Sequence, residues 1–311
     1  MELIEKIETI TTPYHNAVVT IGNFDGVHIG HHALFQKVIE KARALNGKAI
    51  AITFEPHPIR VLKHNGLPPL ITLYEQKVEL IEKSGLDVLI CIHFTPEFAD
   101  LSAEAFVKDL LLKRIGMKAI VVGEDYTFGK NREGNLELLQ GYARRFDFEV
   151  IPISQILISN NLSERISSTI IRDLVMEGKV DAAHKLLGRY YQIRGVVVAG
   201  RNRGGKQLGF PTANLNLHDE LCPKTGIYAV TVDYEGKNYQ GVANIGYSPT
   251  FDDQVFTVEV HIIDFSGQLY DKNIRINFVG RMRAEKRFDT LFELSEQIKR
   301  DIIKARKIIS S

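Results

Sequence analysis

The stretch Ala17-Val18-Val19-Thr20-Ile21-Gly22-Asn23-Phe24-Asp25-Gly26-Val27-His28-Ile29-Gly30-His31 decides the fold of the first half of the chain. Ala17 to Ile21 is an apolar run rich in β-branched residues. Good helix formers follow from about His31 to Leu45, so the order is strand, glycine-rich turn, helix. His28 and His31 fall where the helix begins. Helix N-termini carry unpaired N–H groups and partial positive charge, and phosphates settle there. Two imidazoles added at that point suggest chemistry on a phosphate rather than binding alone. The glycines are spaced neither as G-x-G-x-x-G nor as a Walker A loop with its Lys-Ser/Thr, so this is a nucleotide site of another kind.

Outward from that turn, the first half keeps alternating. Lys48 to Phe54, Asp87 to Phe94, Ala119 to Val122 and Phe148 to Ile153 read as further buried strands. Helical patterns lie between them: Thr72-Leu73-Tyr74-Glu75 reads as a capping box opening a helix to about Ser84, and a second helix spans about Ser102 to Arg114. Near-continuous apolar strands separated by helices predict a parallel sheet covered on both faces, with ligands beyond the carboxyl ends of its strands. Ser168 to Glu177 and Val180 to Leu187 read as short helices. From Tyr190 the pattern changes to short strands, Ile193 to Val198, Gly226 to Asp233, Tyr239 to Ile245, Phe256 to Asp264 and Ile274 to Val279, separated by Gly, Asn and Pro turns. That predicts an antiparallel barrel or sandwich. A last helix opens on the capping box Thr290-Leu291-Phe292-Glu293, with Leu291, Leu294, Ile298 and Ile302 as its apolar stripe. The switch from α/β to all-β places a domain boundary near 184–188, giving 1–185 and 186–311.

Composition narrows the classes. The chain has 311 residues, 44% apolar and 25% charged, with a formal charge of +1. That balance supplies no electrostatic reason to expect nucleic acid or a membrane surface as partner. No apolar run approaches the ~20 residues of a membrane span, and the acidic N-terminus has no signal-peptide core. Cys91 and Cys222 are expected as free thiols of a cytoplasmic protein. His28, His31, His32 and His57 have no acidic or cysteine partner at zinc-like spacing.

The opening stretch is similar to the H-x-G-H nucleotidylyltransferase signature in the form used by bacterial FAD synthetases. Three further stretches match that family in order: Thr53-Phe54-Glu55-Pro56-His57-Pro58, Val122-Gly123-Glu124-Asp125-Tyr126-Thr127-Phe128-Gly129 and Arg165-Ile166-Ser167-Ser168-Thr169-Ile170-Ile171-Arg172. The resemblance covers about the first 185 residues and implies a Rossmann-like nucleotidylyltransferase domain. It implies that Gly22, Asn23, Phe24, Asp25, Gly30, Ser168, Thr169 and Arg172 contact nucleotide, that His28 and His31 neutralise phosphate charge, and that His57, Pro58 and Asp125 line the flavin site. Adenylyl transfer suits such residues, because positioning and electrostatics dominate where little covalent work is asked of the protein.

In the second half, Leu208-Gly209-Phe210-Pro211-Thr212-Ala213-Asn214-Leu215 resembles the G-x-P-T-A-N signature of riboflavin kinases, and the likeness runs from about Leu187 to the C-terminus. It implies that Gly204, Gly205, Lys206, Gly209 and Pro211 meet ATP. Thr212 and Asn214, neutral oxygen ligands two apart on an extended chain, suit a magnesium ion already charge-balanced by ATP. On a strand, Glu259 and His261 of Val258-Glu259-Val260-His261-Ile262 share one face, and a carboxylate on an interior face is costly without work to do. The family's equivalent of Glu259 is the general base for the riboflavin 5′-hydroxyl, while Arg283 and Phe288 resemble positions that bracket flavin and ADP. The combined expectation is a bifunctional riboflavin kinase/FAD synthetase that uses ATP and Mg²⁺. FMN and FAD are then substrate and product rather than prosthetic groups. A flavin-binding regulator on the same scaffold is the competing class, and an aminoacyl-tRNA synthetase a more distant one.

Overall fold

The computed structural model describes residues 1–62, 66–154, 166–198, 209–215, 217, 219–249 and 254–310. They fall into two compact units, Met1–Ser168 and Thr169–Ser311.

The first unit is built on a six-stranded, all-parallel sheet: β1 (Glu2–Ile4), β2 (Ala17–Ile21), β3 (Ala49–Glu55), β4 (Val88–His93), β5 (Met117–Gly123) and β6 (Glu149–Ile153), in the spatial order β1-β4-β3-β2-β5-β6. Among the runs read from sequence, β2 is buried throughout and β4 in all but its last residue because both faces are covered there, whereas the edge strand β6 is half-exposed. On one face, Phe35, Val38 and Ala42 of α1 (Ile29–Ala44) pack with Val18, Ala49, Ala51, Leu89, Ala119 and Val121. On the other, Val19, Ile21, Ile50, Ile52, Ile90, Ile120 and Val122 meet Phe106, Val107, Leu110 and Leu111. The strand order reverses at β2, whose carboxyl end neighbours that of β5, so the topological switch point opens beside the glycine-rich turn.

Three local expectations change. Between α2 (Pro58–Leu62) and α3 (Tyr74–Glu82), Thr72 does not cap α3. Its hydroxyl instead accepts from Gly26 N at 3.1 Å and reaches the Asp25 carboxylate at 3.4 Å, which takes it out of capping. Past α4 (Pro96–Ala99), the second helix starts as a single turn, α5 (Ala103–Ala105), capped by Ser102. It continues with π-type bonding over Phe106–Ile115 to a left-handed Gly116. The strand β1, three residues long, was not visible as a pattern. After α6 (Leu136–Phe146), capped by Asn135, β6 completes the sheet.

The second unit carries α7 (Ser168–Met176, whose first residue belongs to the other unit), α8 (Val180–Leu187) and six strands: β7 (Tyr191–Val198), β8 (Ala213–Leu215), β9 (Gly226–Tyr234), β10 (Lys237–Pro249), β11 (Gln254–Ile262) and β12 (Asn273–Arg283). They close into an antiparallel barrel in the order β10-β11-β8-β7-β12-β9, which abolishes free sheet edges. Alternate residues fill it: Tyr191, Tyr228, Val230, Ala243, Ile245, Val258, Val260, Ile276 and Phe278 are buried. Tyr191 and Tyr228 satisfy their hydroxyls on the Leu221 and Lys224 carbonyls. The terminal helix α9 (Leu291–Ser310) lies against the outside of the barrel, where Ala305, Ile308 and Ile309 join Ile227, Ala229, Val242 and Met282. Leu291 stays 56% exposed, so the stripe that packs runs through Ile298, Ile302 and Ala305 rather than from the first turn.

Candidate functional site

The turn after β2 is shaped by its own side chains. Phe24 and Val27 hold positive φ (48° and 38°), an outlying conformation for a β-branched residue. The buried Asp25 carboxylate accepts from Ile71 N (3.0 Å) and Thr72 N (3.1 Å), and Ser168 Oγ donates to the Asp25 carbonyl (2.8 Å). Asp25, expected to contact nucleotide, is thus also the tie that holds the 66–72 segment against the turn. Thr53 Oγ1 donates to Asn23 O at 3.2 Å.

His28 caps α1, and the two histidines form a reciprocal capping box. His28 Nδ1 accepts from His31 N and His31 Nδ1 accepts from His28 N, each at 3.3 Å. The rings stack with centroids 3.6 Å apart and 17° between planes. Because each Nδ1 is an acceptor, the proton of each neutral imidazole sits on Nε2, which makes Nε2–H a donor at the positive end of the helix. Gly30 lets the His28 ring lie close: a Cβ there would come within 3.1 Å of it, so a side chain at this position would press on the ring.

Two more loops leave the carboxyl ends of neighbouring strands. After β3, His57 Nδ1 accepts from Ile59 N at 3.2 Å, and Pro58 opens α2. Beneath that loop Lys77, only 4% exposed, donates to Phe54 O (3.3 Å) and faces Glu55 (3.7 Å). Sequence reading passed over this lysine, whose signal is a cation on the apolar side of α3. After β5, Asp125 lies exposed in a turn while Tyr126 stacks on Phe128. Thr169 and Arg172 stand on α7 after Ser168.

On the barrel the decisive geometry is a row across five strands. Antiparallel register pairs Asn214 (β8) with Glu259 (β11), Glu259 with Asn244 (β10), Asn244 with Ile227 (β9), and Ile227 with Arg283 (β12). Directly paired residues project to the same side of a sheet. Since Val258 and Val260 fill the interior, this row lies on the outer face, contrary to the interior placement expected for Glu259. Shielding there still pushes the Glu259 carboxyl above its ordinary value, through desolvation. Thr212 and Pro211 precede the row. His261, two residues from Glu259, donates from Nδ1 to Pro211 O at 2.9 Å and meets Phe210 edge-on, which pins the Thr212 segment.

At the far end, Arg283 is held by Asp301 of α9 through a forked pair, Nη2 to Oδ2 at 2.7 Å and Nε to both oxygens at 3.1 Å. Phe288 is half-buried under Lys286 Nζ, 5.5 Å above its ring. Sequence reading missed Glu285, whose carboxylate lies over Gly246; a Cβ on Gly246 would fall 2.1 Å from its Oε1. Gly209 adopts φ of 77° just before the Phe210-Pro211 segment. Gly204, Gly205 and Lys206 lie outside the described residues. Among the described residues no group of three His, Cys, Asp or Glu side chains forms a metal cage, so Thr212 and Asn214 offer only neutral oxygens. That donor set fits an ion delivered with a triphosphate rather than one held by the protein alone.

A parallel sheet with two histidines at a helix N-terminus, and a barrel presenting a shielded carboxylate beside neutral side-chain oxygens, are arrangements that suit a transferase of phosphorus groups with two centres. Known proteins agree. The FAD synthetase family profile matches residues 11–170 and the riboflavin kinase profile residues 187–309. A bifunctional riboflavin kinase/FMN adenylyltransferase of Escherichia coli (strain K12) is 38% identical over 309 residues, 99% of this chain and 97% of that protein. One of the same name from Buchnera aphidicola subsp. Schizaphis graminum is 36% identical over 305 residues, 97% of each. A crystal structure titled as a macrolide-efflux protein from Streptococcus pneumoniae superposes with a TM-score of 0.88 at 33% identity over 98% of both chains. No helix among the described residues here is long and apolar enough to cross a membrane. The chain belongs to the bifunctional riboflavin kinase/FMN adenylyltransferase family: it converts riboflavin to FMN and FMN to FAD, with ATP as the donor in both steps.

Proposed function

We propose that residues 1–185 carry adenylyl transfer and 186–311 the kinase reaction, each with the side chains described above. The observation that supports the first assignment most is the Nδ1-to-backbone capping of both histidines, which fixes their Nε2–H groups as donors. In this reading an FMN phosphate oxygen attacks the α-phosphorus of ATP and the bond to pyrophosphate breaks. His28 and His31 donate to oxygens that gain charge as it does, and the helix N-terminus adds to that field. No protein nucleophile is needed. Gly22, Asn23, Phe24 and Gly30 shape the turn, and His57, Pro58 and Asp125 border the flavin.

In the barrel, Glu259 accepts the proton of the riboflavin 5′-hydroxyl as its oxygen attacks the γ-phosphorus and ADP departs. A pKa raised by shielding brings this carboxylate nearer the working pH of a general base. Mg²⁺ carried with ATP screens the triphosphate charge, and Thr212 and Asn214 are the residues to hold it. Free thiols, with Cys91 shifted up and Cys222 pushed up to about 12 by burial, fit a reducing, ATP-supplied cytoplasm and take no part in the chemistry.

Product analysis of Thr212→Val tests the metal assignment. Riboflavin phosphorylation is expected to fall by about 10²-fold with the dependence on Mg²⁺ concentration moved upward, while FMN adenylylation is unchanged. An unaltered Mg²⁺ dependence of FMN formation contradicts it.

A further inference from the structure

One polar atom in the barrel row has no partner that the sheet can supply. Asn244 Oδ1 is buried and receives no hydrogen bond among the described residues. Its register partners are Glu259 on one side and Ile227 on the other. An ionised carboxylate only accepts, and isoleucine has no polar atom. Two residues along β10 stand Val242, which is apolar, and Gly246, over which lies the Glu285 carboxylate, another acceptor. The nearby Thr257 hydroxyl already donates to Gly246 O at 3.3 Å. These register neighbours are apolar groups and acceptors, and a buried amide oxygen left without a partner costs stability unless something brings a donor.

We propose that Asn244 is a specificity-determining residue of the phosphoryl-transfer site, its Oδ1 accepting a hydrogen bond from the secondary hydroxyl next to the one that is phosphorylated. The inference rests on the assignment of Glu259 as the base for the terminal hydroxyl. Residues directly paired across an antiparallel sheet have Cβ atoms about 5 Å apart, which is the scale of two neighbouring carbons of a polyol with their hydroxyls. Glu259 takes the proton of the primary alcohol, and Asn244 cannot share that proton. The adjacent hydroxyl brings its own, and the ribityl chain of riboflavin carries such a secondary hydroxyl at C4′, next to the terminal one. A site that leaves its acceptor unpaired when this hydroxyl is missing rejects the deoxy analogue.

The test compares riboflavin with 4′-deoxyriboflavin as phosphoryl acceptors, using full-length wild type, Asn244→Leu, Asn244→Asp and Glu259→Gln with Mg–ATP. Wild type is expected to prefer riboflavin by about 10- to 100-fold in kcat/KM. Asn244→Leu, near in volume and without polar atoms, should bring the ratio within about threefold of unity, chiefly by losing activity on riboflavin. Asn244→Asp keeps an acceptor and should retain part of the preference. The inference is overturned if wild type does not discriminate, or if Asn244→Leu slows both acceptors equally. The second result would mean that the amide serves Glu259 or a water rather than the substrate. If Asn244→Leu does not fold, Asn244→Ala decides in its place: it also lacks the acceptor, and equal slowing of both phosphoryl acceptors by it contradicts the proposal. Glu259→Gln separates the two layers. Its failure to stop phosphorylation of either acceptor would remove the base assignment itself, whereas the Asn244 ratios bear on the proposal alone.

Discussion

In the proposed reading His28 and His31 do two jobs with one geometry, the cap and phosphate stabilisation. Each Nδ1 completes the first turn of α1, and that same bond leaves the proton of the neutral ring on Nε2. The jobs can be separated. Asn at position 28 is a good N-cap, and Gln at 31 can replace the reaching-back acceptor. His28→Asn is therefore expected to melt within a few degrees of wild type yet lose about 10²–10³-fold in FAD formation from FMN. A variant with both low stability and normal turnover would show that the ring serves only the cap. Glu259 makes an opposite bargain. Its carboxyl is raised by desolvation, so the ionised form is penalised in the folded barrel. Kinase activity should fall on acidification through a value above the ordinary ~4.3 of a glutamate. The linked stability runs the other way: the raised group favours the fold at low pH, and that contribution is lost as pH rises through the native value. Glu259→Gln should accordingly raise the melting temperature at neutral pH, with the gain vanishing below about pH 4. A loss of stability at pH 7 would contradict the assignment of burial as the cause.

At the scale of elements, α9 is fastened to the barrel by apolar packing and by one buried pair. Asp301 is 4% exposed and Arg283 binds it in a fork, so removing the acid alone leaves a shielded guanidinium uncompensated. Asp301→Ala is expected to cost about 3 kcal/mol by chemical denaturation. A double change of Arg283→Met with Asp301→Leu should cost much less. Equal losses would mean that the guanidinium left behind is not the source of the cost, since Lys304 on the Met282 carbonyl and Arg306 on Asp264 still tie α9 to the barrel in both variants. Gly246→Ala forces the Glu285 carboxylate off β10, and the displacement should be read in kinase KM more than in stability. Elements also show where sequence pattern runs out. The four inner strands of the parallel sheet were legible because burial on both faces writes a near-continuous apolar run, and the half-exposed edge strand β6 showed through Phe148, Val150, Ile151 and Ile153. The three-residue strands β1 and β8 are too short to show a period. The π-type bonding after α5 leaves the same apolar spacing as an ordinary helix. Thr72 looked like a cap because the rule is local, while its actual partners, Gly26 and Asp25, lie more than forty positions away in sequence.

For the whole molecule, the change of periodicity from helix-and-strand to short strands suggested a boundary near 184–188, whereas the compact units divide after Ser168, and four motifs in the first half with the Leu208–Leu215 and Val258–Ile262 stretches in the second pointed to two chemistries. What the chain could not reveal alone was register. Asn214, Glu259, Asn244 and Arg283 are scattered through the last hundred residues, and only barrel closure sets them in one row. The outer-face position of Glu259 follows from the same closure, since Val258 and Val260 claim the interior. The central claim is that this row and the histidine-capped helix are separate centres acting in succession. Full-length Glu259→Gln and His28→Asn, each assayed with riboflavin or with FMN plus Mg–ATP and then mixed, test it most directly. Glu259→Gln is expected to make FAD from FMN but no FMN from riboflavin, His28→Asn to accumulate FMN and make no FAD, and the mixture to restore FAD from riboflavin. Loss of both activities in either variant, or no FAD from the mixture, would contradict it.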